Sequence, residues 1–304
     1  MISRRRFLQW LGAFGTFGAV YGFGIEPLLR LRVARYDLRV ERWPPGFNLT
    51  IAAVADLHAC HPWMTPERID AVVDLTNSLR PDVIVPLGDY VTGHRFVTGA
   101  VDARDWSRAL SGLKAPLGVH AVLGNHDWWD DRAVQRARRG PPYAKGALEA
   151  VGIPVYENHA VRLVHGAHAF WLAGLGDQLA FWLMRRRYPN QPFGVDDLDG
   201  TLAQVTDDAP VILLAHEPDV MVRAPERVSL ILSGHTHGGQ VRLFGWSPVV
   251  PSRYGNRFAY GHVRERCDLV VSGGLGCSIM PVRIGVPPEV VHVTVRSGAA
   301  ASRS

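Results

Sequence analysis

Two histidines, His235 and His237, stand one residue apart in the stretch SGHTHGGQVRLFG (residues 233–245), with glycines on both sides. Glycine removes the side chains that would pack around an imidazole and frees the backbone to turn tightly. Such a stretch is either a turn carrying two solvated histidines or a place where two ring nitrogens are aimed at neighbouring ions. Partners elsewhere in the chain decide between the two. Asp56 and His58 lie in ADLHA, Asp89 in GDY, Asn125, His126 and Asp127 in GNHD, and His216 in AHEP. Leaving His126 and Asp127 aside, the donors are two aspartates, one asparagine and four histidines. Oxygen and imidazole donors without a thiolate suit divalent manganese, iron or zinc. The seven donors exceed the needs of one ion, and a carboxylate such as Asp89 can bridge. The set therefore points to two divalent metal ions.

Each of these residues falls where a strand should end. Residues 49–55 (LTIAAVA) are a β-rich apolar run leading into Asp56 and His58. Thr65 and Pro66 predict a helix cap and first helical position, and Ile69, Val72, Val73, Thr76 and Leu79 follow at helical spacing. PDVIVPLGDY predicts a second strand ending near Asp89. A helix with Trp106, Leu110 and Leu113 on one face comes next, and GVHAVLGNHD predicts a third strand ending at Asn125 and His126. The second half repeats the pattern: residues 211–215 run into His216, and VSLILS runs into His235 and His237. Alternating strands and helices predict a parallel sheet with crossover helices. In such sheets ligands bind outside the carboxyl ends of the strands. A single polar residue in a loop is ordinarily a solvated group or a cap. Carboxylate, imidazole and amide delivered to one edge by three successive strands are not so explained.

The 304 residues are 47% hydrophobic and 20% charged, the composition of a globular protein of one or two domains. A net charge of +5 suits an anionic substrate or an anionic membrane surface; no nucleic-acid motif accompanies it, and no specific nucleic-acid binding is expected. Cys60, Cys267 and Cys277 form neither the close pairs of a zinc ribbon or redox motif nor a disulfide framework. Residues 1–30 read differently from the rest. SRRRFLQ places Arg4, Arg5 and Arg6 ahead of a charge-free apolar stretch over 7–25, the pattern of a signal peptide or a single membrane anchor. Its wording resembles the twin-arginine signal of bacteria. Glycines at 12, 15, 18, 22 and 24 keep the stretch only mildly hydrophobic, yet it is long enough to span a bilayer. The expectation is a twin-arginine-type signal or anchor engaging the twin-arginine export machinery, with the protein exported or membrane-anchored in the cell envelope. A linker or first strand is expected over 31–47 and a disordered tail over 297–304.

In this order and spacing, DLH, GDY, GNHD, AHEP and GHTHGGQ resemble the calcineurin-like metallophosphoesterase superfamily, over about residues 48–296. The later stretch VVSGGLGCSIMPVRIGVPPEVVHVTV, with the twin-arginine start, resembles a bacterial subgroup of exported or membrane-associated phosphodiesterases. The resemblance implies an α/β, four-layer αββα sandwich, two sheets face to face with helices outside. It implies Asp56, His58 and His237 on one metal, Asn125, His216 and His235 on the other, and Asp89 bridging. His126 would face the substrate, stabilising phosphoryl oxygens or protonating the leaving alcohol, with Asp127 orienting it. Two cations sharing a water would bring its pKa near neutrality, supply a hydroxide nucleophile and neutralise developing phosphate charge. The function implied is phosphodiester hydrolysis at or outside the cytoplasmic membrane, on a phosphorylated small molecule or lipid. An alternative substrate is a lipid-linked pyrophosphate or nucleotide-sugar lipid. A non-catalytic metal-binding module of the same fold would be expected to have lost a ligand or His126, and every one of those positions is filled.

Other features carry less. FWLMRRRYPNQPFG (residues 181–194) reads equally as a cap gripping lipid head groups or an anionic substrate and as a surface insertion with a solvated basic turn. Trp128 and Trp129 read as packing beneath the site, and Cys60 as a buried free thiol. His61, His94, His159 and His168 have no strand-end placement that recommends them as ligands.

Overall fold

The computed structural model describes residues 3–298; Met1, Ile2 and residues 299–304, most of the expected tail, lie outside them. Ten strands build two mixed sheets. The first has the order β1-β10-β2-β3, from β1 (Arg32–Val40), β2 (Leu49–Val54), β3 (Val83–Pro86) and β10 (Glu289–Ser297). The second has the order β8-β9-β7-β6-β5-β4, from β4 (His159–His165), β5 (His168–Gly174), β6 (Val211–Leu214), β7 (Val228–Ser233), β8 (Gly261–Arg264) and β9 (Asp268–Val271).

Alternation along the strands makes the layers. In β2, Ile51 and Ala53 point into the space between the sheets, where they meet Leu172, Ile212, Leu214, Leu230 and Leu232. Ala52 and Val54, on the opposite face, pack with Ile69, Val72, Trp106, Leu110 and Leu148 of the outer helices α3 (Pro66–Ser78), α4 (Ala103–Leu110) and α5 (Tyr143–Ala150). The second sheet does the same outward, with Val211, Leu213 and Ile231 against Val220, Met221 and Leu198. Both faces of the central strands are buried, so those strands are apolar throughout. Each fully buried aliphatic side chain contributes about 2 kcal/mol of transfer free energy. The result is the α/β sandwich of mixed sheets that the resemblance implied.

Three sequence expectations change in detail. The sheets are not wholly parallel: β2–β3 and the run β5-β6-β7-β9 are parallel, while β10 runs antiparallel to β2, and β4–β5 and β8–β9 are antiparallel neighbours. The expected third strand is no regular strand: it meets β3 through the isolated bridge Ile84 to Val119 and the Val122 N to Pro86 O bond, and its other side makes the isolated bridge Ala121 to Val155. Of the two readings of residues 31–47, linker or first strand, the structure has the strand: β1 pairs with β10 from Arg32–Glu289 to Val40–Ser297, and Trp43 and Phe47 are buried. Order also persists two residues past 296, where Gly298 N donates to Val40 O at 2.8 Å.

At the N-terminus, α1 (Arg4–Val20) continues through a wide π turn (Tyr21–Ile25) into α2 (Glu26–Leu29). Ser3 Oγ caps it, accepting from Arg6 N. Gly22 packs on Val282 and Ile284, and its carbonyl accepts from Arg283 N at 2.9 Å. Among the described residues no helix is long and apolar enough to cross a membrane.

Candidate metal centre

The loops after β2, β3, β6 and β7 converge at one edge of the sandwich. Asp56 N donates to Gly88 O at 3.1 Å and His58 N to Asp89 O at 2.9 Å, tying the first two loops together. His235 N donates to Asp56 Oδ1 at 2.9 Å and joins the second half to the first. Asp56, His58, Asp89, His235 and His237 all hold left-handed backbone, with φ of 54°, 48°, 57°, 69° and 51°. L-residues avoid this region, at a cost of about 1–3 kcal/mol each, and such strain collects where surrounding structure and function fix a side chain's direction. Glycines let the loops close over these residues. A Cβ at Gly93 would lie 2.5 Å from His58 Nδ1, and one at Gly234 would lie 2.6 Å from Asp56 Oδ2.

The side chains form two buried groups able to hold a cation each: Asp56, His58 and His237, then Asp89, His216 and His235, with donor atoms in each group within 4.8 Å of one another. In the first, His58 Nε2 is 3.1 Å from His237 Nε2, which is 3.4 Å from Asp56 Oδ1. In the second, His216 Nε2 is 3.2 Å from Asp89 Oδ2, and His235 Nδ1 is 2.7 Å from Asn125 Oδ1. Asp89 Oδ2 also lies 3.5 Å from His58 Nε2, so one oxygen faces both groups.

The donor chemistry fits divalent cations. His58 Nδ1 meets Val91 O at 2.9 Å and His216 Nδ1 meets Leu87 O at 2.7 Å. A carbonyl only accepts, so each ring carries a proton on Nδ1 and presents Nε2 to Asp89, the nitrogen that would bind a cation. His235 Nε2 is likewise 2.8 Å from Pro251 O, which leaves its Nδ1 facing the amide oxygen of Asn125. Asp56 Oδ2 is buried without a hydrogen-bond partner. Burial drives Asp56 up to about 7, His58 down to about 3 and His235 down to about 4, while against burial the Asp89 carboxylate holds His216 well above the ordinary imidazole value, drawing positive charge to the spot a cation would fill. Arg283, fully buried 3.2 Å from His237 Nδ1, adds to burial in keeping that ring uncharged.

His126 stands apart from the donors. It is only half-buried, and its ring sits 4.9 Å from that of His58 and 5.1 Å from that of Trp129. Its backbone N–H holds Asp89 Oδ1 at 2.8 Å, and its Nε2 lies 3.3 Å from Ser278 Oγ. Asp127, expected to orient His126, is engaged elsewhere. Its carboxylate accepts from the backbone N–H groups of Gly124, Asp89 and Tyr90 at 2.8–2.9 Å and of Val91 at 3.4 Å. Burial raises its pKa to about 7 against the pull of those amides. Asp127 therefore braces the loop that carries Asp89. The sequence signal was available: an aspartate three residues after the N-cap Gly124 reaches back to the cap, as in a capping box. Ser278 and Arg283 carried no such signal, because loops far away in the chain bring them in.

A cavity of about 690 Å³ opens beside His235, walled by Trp129, Leu179, Trp182, Phe193 and Tyr254. The 181–194 segment thus supplies one wall, with Arg185 stacked 3.7 Å over Trp182. Trp128 is buried as expected, whereas Trp129 lines the cavity and donates to Leu179 O at 2.8 Å.

A sandwich of mixed sheets with two His/Asp metal sites at one edge defines a metal-dependent phosphoesterase, a hydrolase that works with two divalent ions. The chain belongs to the calcineurin-like phosphoesterase family, whose model matches residues 49–239. It is similar to the uncharacterized metallophosphoesterase YkuE of Bacillus subtilis (29% identity, 97% of this chain and 98% of that one). It is also similar to the phosphodiesterase YaeI of Escherichia coli (31%, 95% and 98%) and to the transmembrane protein with metallophosphoesterase domain of Danio rerio (27%, 97% and 67%).

Proposed function

We propose that the protein hydrolyses phosphodiesters, with Asp56, His58 and His237 holding one cation, Asn125, His216 and His235 the other, and Asp89 shared. The observation that carries this reading is Asp89 Oδ2, set within 3.5 Å of imidazoles from both groups. When bound, two such ions acidify a water and offset the charge that builds on a phosphoryl group. His126, at the open side of the centre with Ser278 Oγ on its Nε2, hands an N–H or a proton to an ester oxygen. The apolar cavity beside His235 gives a second organic substituent a place to sit, which favours a diester over a monoester. The relative named as a phosphodiesterase supports the same choice.

The site of action in this proposal is the cell envelope, reached through the twin-arginine pathway. Support comes from Arg4, Arg5 and Arg6 ahead of the apolar 7–25 stretch and from a relative named as a transmembrane protein. The test of the chemistry is a metal-resolved assay. Protein stripped of metal and reloaded with Mn²⁺, Zn²⁺, Fe²⁺ or Mg²⁺ is offered bis(p-nitrophenyl) phosphate and p-nitrophenyl phosphate. Diester turnover that requires about two bound ions is expected. Failure to bind metal, or turnover of the monoester alone, overturns the proposal.

A further inference from the structure

The mouth of the metal centre is ringed by large apolar side chains pointing into solvent. Ser278, which touches His126, is followed by exposed Ile279 and Met280. Ser278 and Ile279 pair with Gly93 and His94, beyond which Phe96 is exposed. Gln240 ties to this loop, its Nε2 donating to Met280 O, and leads into a hairpin that exposes Leu243, Phe244 and Trp246. Ile284 pairs with the strand leading into that hairpin, its N donating to Gln240 O and its O accepting from Arg242 N, and its side chain meets Gly22, where the N-terminal helix lands. Upstream of Gly22, α1 exposes Trp10, Phe14 and Phe17. The helix bearing these side chains is thus anchored, through Gly22, to the same corner as the apolar loops.

Two residues of this surface are held in backbone that opposes their side chains. Leu243 and Trp246 exchange hydrogen bonds of 2.9 and 3.0 Å around a two-residue loop, Phe244-Gly245, with φ of 52° and 79°. Such a turn favours asparagine first and glycine second; here a phenyl ring stands at the tip, fully exposed. Ile279 has φ of 65°, a conformation β-branched residues almost never adopt, and is 69% exposed. Packing gives no return for either choice, so the return must come from something that covers them.

We propose that this face docks on a lipid bilayer, with the hairpin tip and Ile279–Met280 in the interfacial layer and the metal centre opening at head-group level. Several observations favour lipid over a second copy of the chain. The loops hold, at Gly22, the helix that begins with Arg4, Arg5 and Arg6, all exposed, and exposed Arg95 adjoins Phe96 in the chain. Basic groups flanking Trp and Phe are the pattern of an interfacial surface attracted to anionic lipid. The net charge of +5 works in the same direction. Resting on the phosphoesterase reading, the consequence is that the natural substrate carries its phosphodiester at the membrane surface.

The test uses the full chain and vesicles of phosphatidylcholine with a minority of phosphatidylglycerol. Hydrogen exchange should slow in residues 241–247 and 277–282 when vesicles are added. Protection confined to residues 4–25, or no protection, overturns the proposal; protection that grows with protein concentration in the absence of lipid means self-association and overturns it equally. Phe244→Asn and Ile279→Gly each relieve backbone strain, so both should raise the melting temperature while weakening vesicle binding, about tenfold for each large side chain withdrawn. Unchanged binding by both variants overturns the docking face. Both should hydrolyse soluble bis(p-nitrophenyl) phosphate at the wild-type rate. If the wild type itself lacks that activity, the phosphoesterase reading fails while the vesicle result still stands or falls alone.

Discussion

At Asp89 one carboxylate oxygen faces imidazoles from both halves of the chain, so replacing Asp89 and replacing His126 should fail in different ways. Asp89→Ala is expected to lose both bound metal and turnover. His126→Ala keeps nearly full metal content and loses about 10²–10⁴ in kcat, the worth of a positioned proton donor. Metal analysis beside steady-state kinetics separates the two, and full activity in His126→Ala would end its assigned role. Asp127 gives a sharper test because two roles predict opposite metal behaviour. If it oriented His126, Asp127→Asn would spare the metals. Because Asp127 braces the Asp89 loop through three backbone amides, the variant should lose metal along with rate. Proton competition adds a pH dependence. Burial raises Asp56 to about 7, so below that pH a cation must displace a proton from it. Apparent metal affinity should weaken by about tenfold per pH unit as pH falls below 7. Metal titrations at a series of pH values measure this, and a flat profile would mean Asp56 is not a ligand.

Among the elements, the loops after the strands carry the chemistry and the glycines permit it. A Cβ at Gly124 would fall against Asp89 Oδ1, Asp89 N and His216 Cε1, two of them side-chain atoms of the centre. Gly124→Ala is expected to cut metal content and activity far more than its effect on thermal stability would suggest; equal loss of fold and function would refute this. The ligand positions were legible in the sequence because each is a chemically distinctive residue just past an apolar run, as with Ala215 before His216. The helix from Pro66 was legible from its cap and its spacing. What was hidden depends on backbone or on distant chain. Asp127 bonds amides, which have no sequence identity. Ser278 and Arg283 reach the centre from a loop without periodicity. Residues 119–123 look like a full strand because they are apolar, but their neighbours leave them only two bridges.

For the molecule as a whole, strands far apart in the chain are joined in the first sheet. β10 lies between β1 and β2, parallel to one and antiparallel to the other. Its Val291, Val293 and Val295 are buried in the core between the sheets. A chain ending at residue 288 would leave β1 without its neighbour and that core open, and is expected to be insoluble or unfolded. A soluble, cooperatively melting fragment would contradict the assignment. The same arrangement sets an order of events during synthesis. β10 follows β1, β2 and β3 in the chain yet lies between β1 and β2, so the first sheet closes only once residues 289–297 have been made. The loops bearing Asp56 and Asp89 leave the ribosome long before the strand that completes the sheet they hang from. Sealing the core beneath the centre is thereby left to β10, after every residue of the two metal groups has been made.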